Sequence, residues 1–555
     1  MASDFSRLMK QDFSDLEAAA RAWRALSTTM DSLTDRHRRQ VTGPLHQSWK
    51  GDDADAALFY LEDVESRIGV VETEAMAIAE VIDTTRFWME QSQTDLRNAV
   101  RRAEEDNFEV DGDGWVSDPT TTDLPRQDPD ARQIIAGRSA LLGEHRAAID
   151  EALTAAHKAS NDGAKALGEL NGDILTDPLS HDAAAESAQD VKNAMKAVGV
   201  QAPQIPEGDP KAAAEWWKAL SPEERQAYST LYPKEIGATD GLPSDVRDDA
   251  NRTALAQELN LVQEGNWDEG FPGESDESVN RRLHNLQVLN DQLEAADGAP
   301  KGKELYLLGY DSKDDGRAII AMGNPDTADN VGVQVPGTGT TMDSTRGQLE
   351  RVSKLQDSAG EADPTADTAM VYWLGYDAPE IPISEANNLD VAGPGRAEDG
   401  AQDLRDFTHG LRASHEGERA NLTVLGHSYG STAVGAAAAG DDGLDADNIA
   451  VVGSPGMTVD RADDLNIDPS HVYVGLAEDD PIRDAQDLSL GHNVTSAYFG
   501  ATRFETDTSG HSGYWDENSD GMSEGLANQG RIIAGRQPSA YDPPPSMPAQ
   551  PPGHL

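Results

Sequence analysis

The 555-residue sequence contains no cysteine, which excludes disulfides, thiolate metal sites and a cysteine nucleophile, and leaves the compartment open. It also lacks any run approaching the roughly 20 apolar residues needed to span a bilayer, so no transmembrane segment is expected. The opening residues, MASDFSRLMKQDF, lack the apolar centre of a secretory signal. Basic residues are scarce: 45 Lys and Arg stand against 100 Asp and Glu, a formal net charge of -55. That balance excludes nucleic acid and anionic lipid as default partners, because phosphate binding needs clustered Lys and Arg. It fits either a salt-rich environment, where such surfaces are used, or a soluble acidic protein of another kind. The length exceeds one ordinary core and implies two to four structural units.

What is present begins with helix. Ser14-Asp15-Leu16-Glu17 has capping-box spacing, and Leu16, Ala20, Trp23, Leu26 (or Ser27), Met30 and Leu33 mark one apolar stripe. A second stripe, Leu58, Leu61, Val64, Ile68, Val71, Ala75, Ile78 and Ile82, follows a break at Trp49-Lys50-Gly51. Two such stripes predict an antiparallel helical hairpin. The Trp-x-Gly break between them resembles the WXG family of helical hairpins tied to type VII secretion. That resemblance implies a helical-hairpin or secretion-apparatus partner for residues 1–200, and a protein either cytoplasmic or exported without a classical signal. No clean Tyr-x-x-x-Asp/Glu export signal follows the second stripe. Phe108 to Val116 alternates around Asp-Gly and predicts a β-hairpin insertion at 108–116. Its aspartates do not complete a calcium loop, because Thr120 stands at the closing position.

Helical patterns continue to about Ala197 and meet a Pro- and Gly-containing linker, Gln204 to Pro210. Residues 201–300 form a helical collar or linker. There Ser221-Pro222-Glu223-Glu224 carries an N-cap, a Pro at the first position and a Glu at the third. From 301 to 536 the pattern becomes strand, loop and helix. Apolar runs at Leu305–Tyr310, Ala318–Met322, Val331–Val335, Met370–Leu374, Leu422–Leu425, Ile449–Val452, Val472–Leu476 and Tyr498–Phe504 predict a mainly parallel eight-stranded sheet with helices on both faces. Residues 537–555 are Pro-rich and are expected to be disordered.

The run Leu422 to Ser431, LTVLGHSYGS, carries strand apolarity into Gly426-His427-Ser428-Tyr429-Gly430, the G-x-S-x-G pattern of a nucleophile elbow. The small residues Thr432 to Ala439 suit a helix packed closely beneath it. A Ser hydroxyl needs an imidazole to take its proton and a carboxylate to hold that imidazole, in the chain order Ser, acid, His. Asp480 is the preferred acid, with Asp479 the alternative and Glu478 a more distant one. His511, in a Gly-rich loop after the last strand, is the preferred base, with His492 the alternative and His471 and His427 worse placed. The oxyanion donors are the backbone amide of Tyr429 and, from the loop after the third strand, that of Thr338 or Gly337. No phosphate-binding loop or complete dinucleotide fingerprint is present. The segment Ala378 to Gly400 is placed to cover the pocket.

Through PGTGT, GHSYGS, GSPG, EDDPI and GHSGYW, in that order, the span from about Leu305 to Arg536 resembles an actinobacterial α/β-hydrolase family long catalogued as a domain of unknown function. Trp216, Trp217, Leu220, Ser221, Pro222, Ile236, Gly237, Asp240, Gly241, Leu242, Pro243, Arg247 and Asn251 extend the likeness into the collar. The resemblance implies an α/β-hydrolase fold preceded by a long all-α region. It also implies a serine esterase or lipase-like activity on a small-molecule or lipid ester, with no metal and no organic cofactor. A scaffold protein with a vestigial hydrolase domain, and a secreted hydrolase toxin, are the alternatives.

Overall fold

The computed structural model describes residues 3–121, 124, 128–170, 183–200, 202–263, 271–380, 390–487, 489–518 and 521–542. The chain divides into two compact units, Met1–Arg36 with Glu62–Pro203 and His37–Leu61 with Gln204–Leu555. Residues 37–61 thus group with the second unit, although the sequence reading kept them within 1–200. Among the described residues no helix is long and apolar enough to cross a membrane.

The first unit is helical. Arg24, on the helix Ser14–His37, donates to Glu80 at 2.8 Å and to Asp83 at 2.7 Å on the helix Asp52–Glu105. Nearer the chain start, Gln93 donates to the carbonyl of Leu8 at 2.6 Å. Contacts that climb one leg while descending the other make the legs antiparallel. A third long helix, Pro129–Leu170, completes a core of Phe5, Leu8, Phe13, Leu96, Ala99, Phe108 and Ile149. Between the second and third helices, β1 (Glu109–Val110) pairs antiparallel with β2 (Val116–Ser117). Arg146 stacks over the exposed Trp115 beside it.

The break at Trp49-Lys50-Gly51, in the second unit, is a turn. Trp49 ends the short helix Gly43–Ser48 in extended backbone, and Gly51 takes φ +109° just before the helix at Asp52. That value is open to glycine and strained for other residues. Trp49 itself is exposed.

The second unit is built on one eight-stranded sheet: β3 (Leu305–Asp311), β4 (Arg317–Met322), β5 (Asn330–Val335), β6 (Thr368–Leu374), β7 (Asn421–His427), β8 (Asn448–Val452), β9 (Val472–Gly475) and β10 (Thr502–Arg503). The order across it is β10-β9-β8-β7-β5-β6-β4-β3. From β10 to β6 all neighbours run parallel, and β4 pairs antiparallel with both β6 and β3. Helices on both faces bury the central strands from both sides. This is why β5 and β8 are buried at every position and β6 at every position after Thr368, with none of the buried–exposed alternation of a one-sided sheet, and why Val, Ile, Ala, Met and aromatic residues dominate them. The last strand is shorter than its apolar run. Tyr498 is exposed and packs on Arg461 and His492, so the chain is in a turn there and pairs with β9 only at Thr502 and Arg503.

Of residues 201–300, which the sequence sets apart as a helical collar, 204–300 belong to the same compact unit as the sheet. Their helix Ser244–Gln263 lies on the edge strand β3 and meets its backbone with side chains. Asn251 donates to the carbonyl of Leu307 at 2.9 Å, Asp248 accepts from the amide of Leu307 at 2.6 Å, and Arg247 donates to the carbonyl of Leu308. Arg247 also pairs with Asp240 at 2.8 Å, and Asn251 reaches the carbonyl of Gly237 at 2.9 Å. Trp217, Ile236 and Leu242 form a small apolar cluster against which Trp216 and Leu220 pack.

The expected disorder from residue 537 needs correction for the described part of that segment. Ala540 bridges Phe504, Ser539 accepts from the amide of Glu505 at 3.0 Å, and Tyr541 stacks on Arg503. The Phe504 amide donates to Val474 of β9, and the returning chain pairs the backbone on either side of it, Ser539 accepting from Glu505 and the Tyr541 amide donating to the Arg503 carbonyl at 3.3 Å. Residues 543–555 lie outside the described residues.

Candidate active site

Strand order locates the crevice. The chain passes from β5 to its neighbour β6, then crosses to β7 on the other side of β5. The loops leaving the carboxyl ends of β5 and β7 therefore diverge, the place where open α/β sheets bind ligands. Val335 of β5 is level with Gly426 of β7, so the loop beginning Pro336-Gly337 lies beside Ser428.

The backbone at Ser428 has φ +52° and ψ -129°, a conformation that costs a non-glycine residue about 1–3 kcal/mol. The glycines around it have no room for a side chain. A Cβ on Gly426 would lie 2.6 Å from Ser431 Cα, and one on Gly430 would lie 2.3 Å from the carbonyl oxygen of Val335. One turn on, a Cβ on Gly435 would sit 2.1 Å from the carbonyl of Met457, so the small-residue helix Tyr429–Ala438 packs backbone against backbone. The strained turn is thus fixed by its surroundings.

Ser428 is 8% exposed, and its Oγ lies 2.8 Å from His511 Nε2. His511 Nδ1 lies 3.0 Å from both carboxylate oxygens of Asp480, which is 1% exposed. Burial alone would raise the Asp480 pKa, but hydrogen bonds from His511, Tyr514 and the Ile482 amide outweigh it and hold the carboxyl below its ordinary value. With Asp480 ionised, Nδ1 carries the proton and Nε2 is free to accept from the Ser428 hydroxyl.

Asp479 turns the other way. Its exposed carboxylate accepts from Ser509 Oγ at 2.5 Å and from the Gly510 amide at 2.7 Å, and these bonds lower its pKa. It ties down the loop that carries His511, while Asp480 meets the imidazole. Glu478 is exposed. His492 pairs with Asp487 at 2.9 Å and His471 with Asn448 at 3.0 Å, and neither partner belongs to the Ser428 cluster. Gly337 lies against the elbow: a Cβ there would be 2.7 Å from Ser428 Cβ and 3.2 Å from the Tyr429 amide nitrogen. Thr338, the next residue, is half-buried, and the Thr340 hydroxyl fixes the loop by donating to the carbonyl of Gly337 at 2.8 Å. Tyr429 opens the elbow helix, where the helix dipole favours negative charge.

Three side-chain roles around the elbow are not expected from the sequence, although His427 and Tyr429 are named there for other roles. His427 Nε2 donates to the carbonyl of His511 at 2.8 Å, and its ring packs between those of His511 and Trp515. Burial holds this imidazole neutral, its pKa pushed down to about 3. Ser431 Oγ donates to the carbonyl of Ser428 at 2.6 Å and lies 2.6 Å from Ser454 Oγ, which braces the elbow from below. The Tyr429 hydroxyl donates to the carbonyl of Gly393 at 2.7 Å. That bond attaches the described end of the segment expected to cover the pocket, of which 381–389 lie outside the described residues. The motifs GHSYGS, GSPG and GHSGYW contain most of these side chains, but motif matching carries no distances. Among the described residues no cluster of His, Asp and Glu is arranged to hold a metal ion.

A sequence model described as alpha/beta hydrolase matches residues 311–490. Two uncharacterized proteins of Mycobacterium tuberculosis, MT2140 and Rv2079, are each 34% identical over 285 residues, 48% of this chain and 43% of theirs. The chain thus spans less than half the length of those relatives. The uncharacterized protein Mb0988c of Mycobacterium bovis is 31% identical over 212 residues, 36% of this chain and 74% of its own. Sheet order, elbow backbone, matched span and coverage of that shorter relative agree, and the chain belongs to the alpha/beta hydrolase family.

Proposed function

We propose that the protein is a serine hydrolase that cleaves an ester or related acyl bond, with Ser428 as nucleophile, His511 as general base and acid, and Asp480 as the acid that orients it. The observation supporting this reading is the unbroken hydrogen-bond chain from Ser428 Oγ through His511 to the buried Asp480, at 2.8 Å and 3.0 Å. Ser428 Oγ attacks the carbonyl carbon as His511 Nε2 takes the hydroxyl proton, and ionised Asp480 stabilises the imidazolium. The tetrahedral oxyanion is received by the Tyr429 amide and an amide of the Gly337-Thr338 loop, each donor contributing about 2.7–4 kcal/mol in a comparable site. Collapse expels the alcohol, which takes the proton from His511, and leaves an acyl-enzyme. Water, deprotonated by the same imidazole, then releases the acid and restores Ser428.

A fluorophosphonate probe tests the reading. The wild-type protein is expected to be labelled at Ser428 and Ser428→Ala to stay unlabelled. A folded wild-type chain that resists labelling in high salt would overturn it. Short- and long-chain p-nitrophenyl esters then define the acyl group accepted.

A further inference from the structure

The GSPG and GHSGYW motifs meet at a point that the Ser–His–Asp chain alone does not explain. The Tyr514 side chain is fully buried, and its hydroxyl lies 2.5 Å from Asp480 Oδ2. The same hydroxyl accepts from the amide of Ala477 at 3.2 Å. A phenol has one proton to give, and the Ala477 N–H occupies an acceptor lone pair, so the proton points at Asp480. Oδ1 has a separate donor, the amide of Ile482 at 2.8 Å. Each carboxylate oxygen therefore has its own fixed donor in addition to the imidazole that lies equally close to both.

Gly453 is shaped for this arrangement. It has φ +57°, and a Cβ there would stand 3.0 Å from the Tyr514 ring, 3.1 Å from Asp480 Oδ2 and 3.2 Å from His511 Cε1. One backbone position touches all three side chains. The other titratable or charged groups around them are His427, Arg351, Asp479, Arg483 and Asp516. His427 donates to the His511 carbonyl, Arg351 stacks on Trp515 near Asp516, Asp479 holds Ser509 and Gly510, and Arg483 donates to the Ala477 carbonyl. Among the described residues none of these side chains donates to the Asp480 carboxylate.

We infer that Tyr514 is a positioning residue that fixes Asp480 in its ionised, imidazole-facing state and thereby sets the basicity of His511. This inference rests on the proposed serine hydrolase reading. Losing the phenol proton would leave Asp480 a stronger base and His511 easier to protonate. A more acidic phenol would do the reverse. Both changes act through hydrogen-bond strength to a charged group.

The test compares Tyr514→Phe with 3-fluorotyrosine incorporated at 514, using p-nitrophenyl ester turnover and fluorophosphonate labelling rate from pH 5 to 9. Tyr514→Phe is expected to lower kcat roughly ten- to a hundredfold, the size of one hydrogen bond to a charged group, with little change in KM. The acidic limb of kcat/KM should move to higher pH in Tyr514→Phe and to lower pH with fluorotyrosine. Equal loss at every pH, or an acidic limb that stays in place in both proteins, would overturn the inference. Fluorotyrosine keeps the phenol donor and changes only its acidity and one ring hydrogen, so it decides the matter alone if Tyr514→Phe does not fold. Failure of the hydrolase reading itself would show separately, as a wild-type Ser428 that takes no label.

Discussion

Two buried carboxylates in the second unit, Asp480 and Asp326, look alike in isolation and differ in what their donors lead to. Asp326 is 4% exposed and accepts from the Ser244 amide at 2.5 Å and the Ser414 hydroxyl at 2.6 Å. Both donors end there, so the carboxylate joins the collar to the helix Ala401–Ser414 and has no further reach. Asp480 is equally enclosed, but one of its donors is an imidazole whose far nitrogen meets a hydroxyl on a strained turn. Burial and pairing of an acid are structural commonplaces. What distinguishes the site is a polar chain that ends on an atom able to form a bond.

The largest expected effect comes from cutting that chain. Asp480→Asn should lower kcat by on the order of 10⁴, because the amide no longer holds His511 in the tautomer that can accept from Ser428. Asp479→Asn should cost far less, since its carboxylate meets the loop and not the imidazole. Steady-state kinetics on the pair check this, and equal losses would show that the assignment of acid and loop anchor is wrong.

The collar should respond the other way. Arg247→Ala removes a guanidinium that is 4% exposed and bonds Asp240, Gly237 and Leu308. It is expected to cost about 3 kcal/mol of stability, as does removing one partner of a buried pair, with kcat per folded molecule unchanged. Urea unfolding and active-site titration measure the two quantities separately. A fall in kcat at full occupancy of folded protein would mean that the collar acts on the site.

The smallest effect concerns His427. Its folded pKa is about 3 and its unfolded value about 6.5, so as pH falls the unfolded chain takes the proton first. Stability from this group is present above pH 6.5 and is lost progressively as pH falls toward 3. By pH 5 the loss is about 2 kcal/mol. His427→Gln should remove that part of the slope, measured as the difference between wild-type and variant urea midpoints at pH 7 and pH 5. Parallel slopes would show that the imidazole is not held neutral.

Much of this was legible in the sequence, for identifiable reasons. The sheet strands announce themselves because burial on both faces favours apolar residues at successive positions; the expected run exceeds β9 by Leu476 alone and exceeds β10 by more, from an exposed aromatic that packs on a surface arginine. Chain order at strand ends points to Ser428, to an acid within 478–480 and to His511, and the structure brings Ser428, His511 and Asp480 together. Chain order does not decide between Asp479 and Asp480, because adjacent residues in a loop point apart and only backbone direction says which way. Tyr514 and Gly453 were visible as letters of motifs, but their meeting spans 61 residues of chain and depends on the packing of two loops. The grouping of 37–61 with the second unit is equally a matter of long-range contact.

The hold of the helix Ser244–Gln263 on β3 has a practical meaning for anyone cutting the chain. A fragment begun at residue 311, where the match to the alpha/beta hydrolase family starts, loses β3 and bares β4, whose antiparallel partner on that side is gone. One begun at 301 keeps β3 but strips Asn251, Asp248 and Arg247 from its backbone. Either cut leaves a row of unpaired amides and carbonyls that recruits strands from other molecules. The collar thus covers the β3 edge of the sheet, and a fragment of the second unit that keeps that edge covered has to carry it.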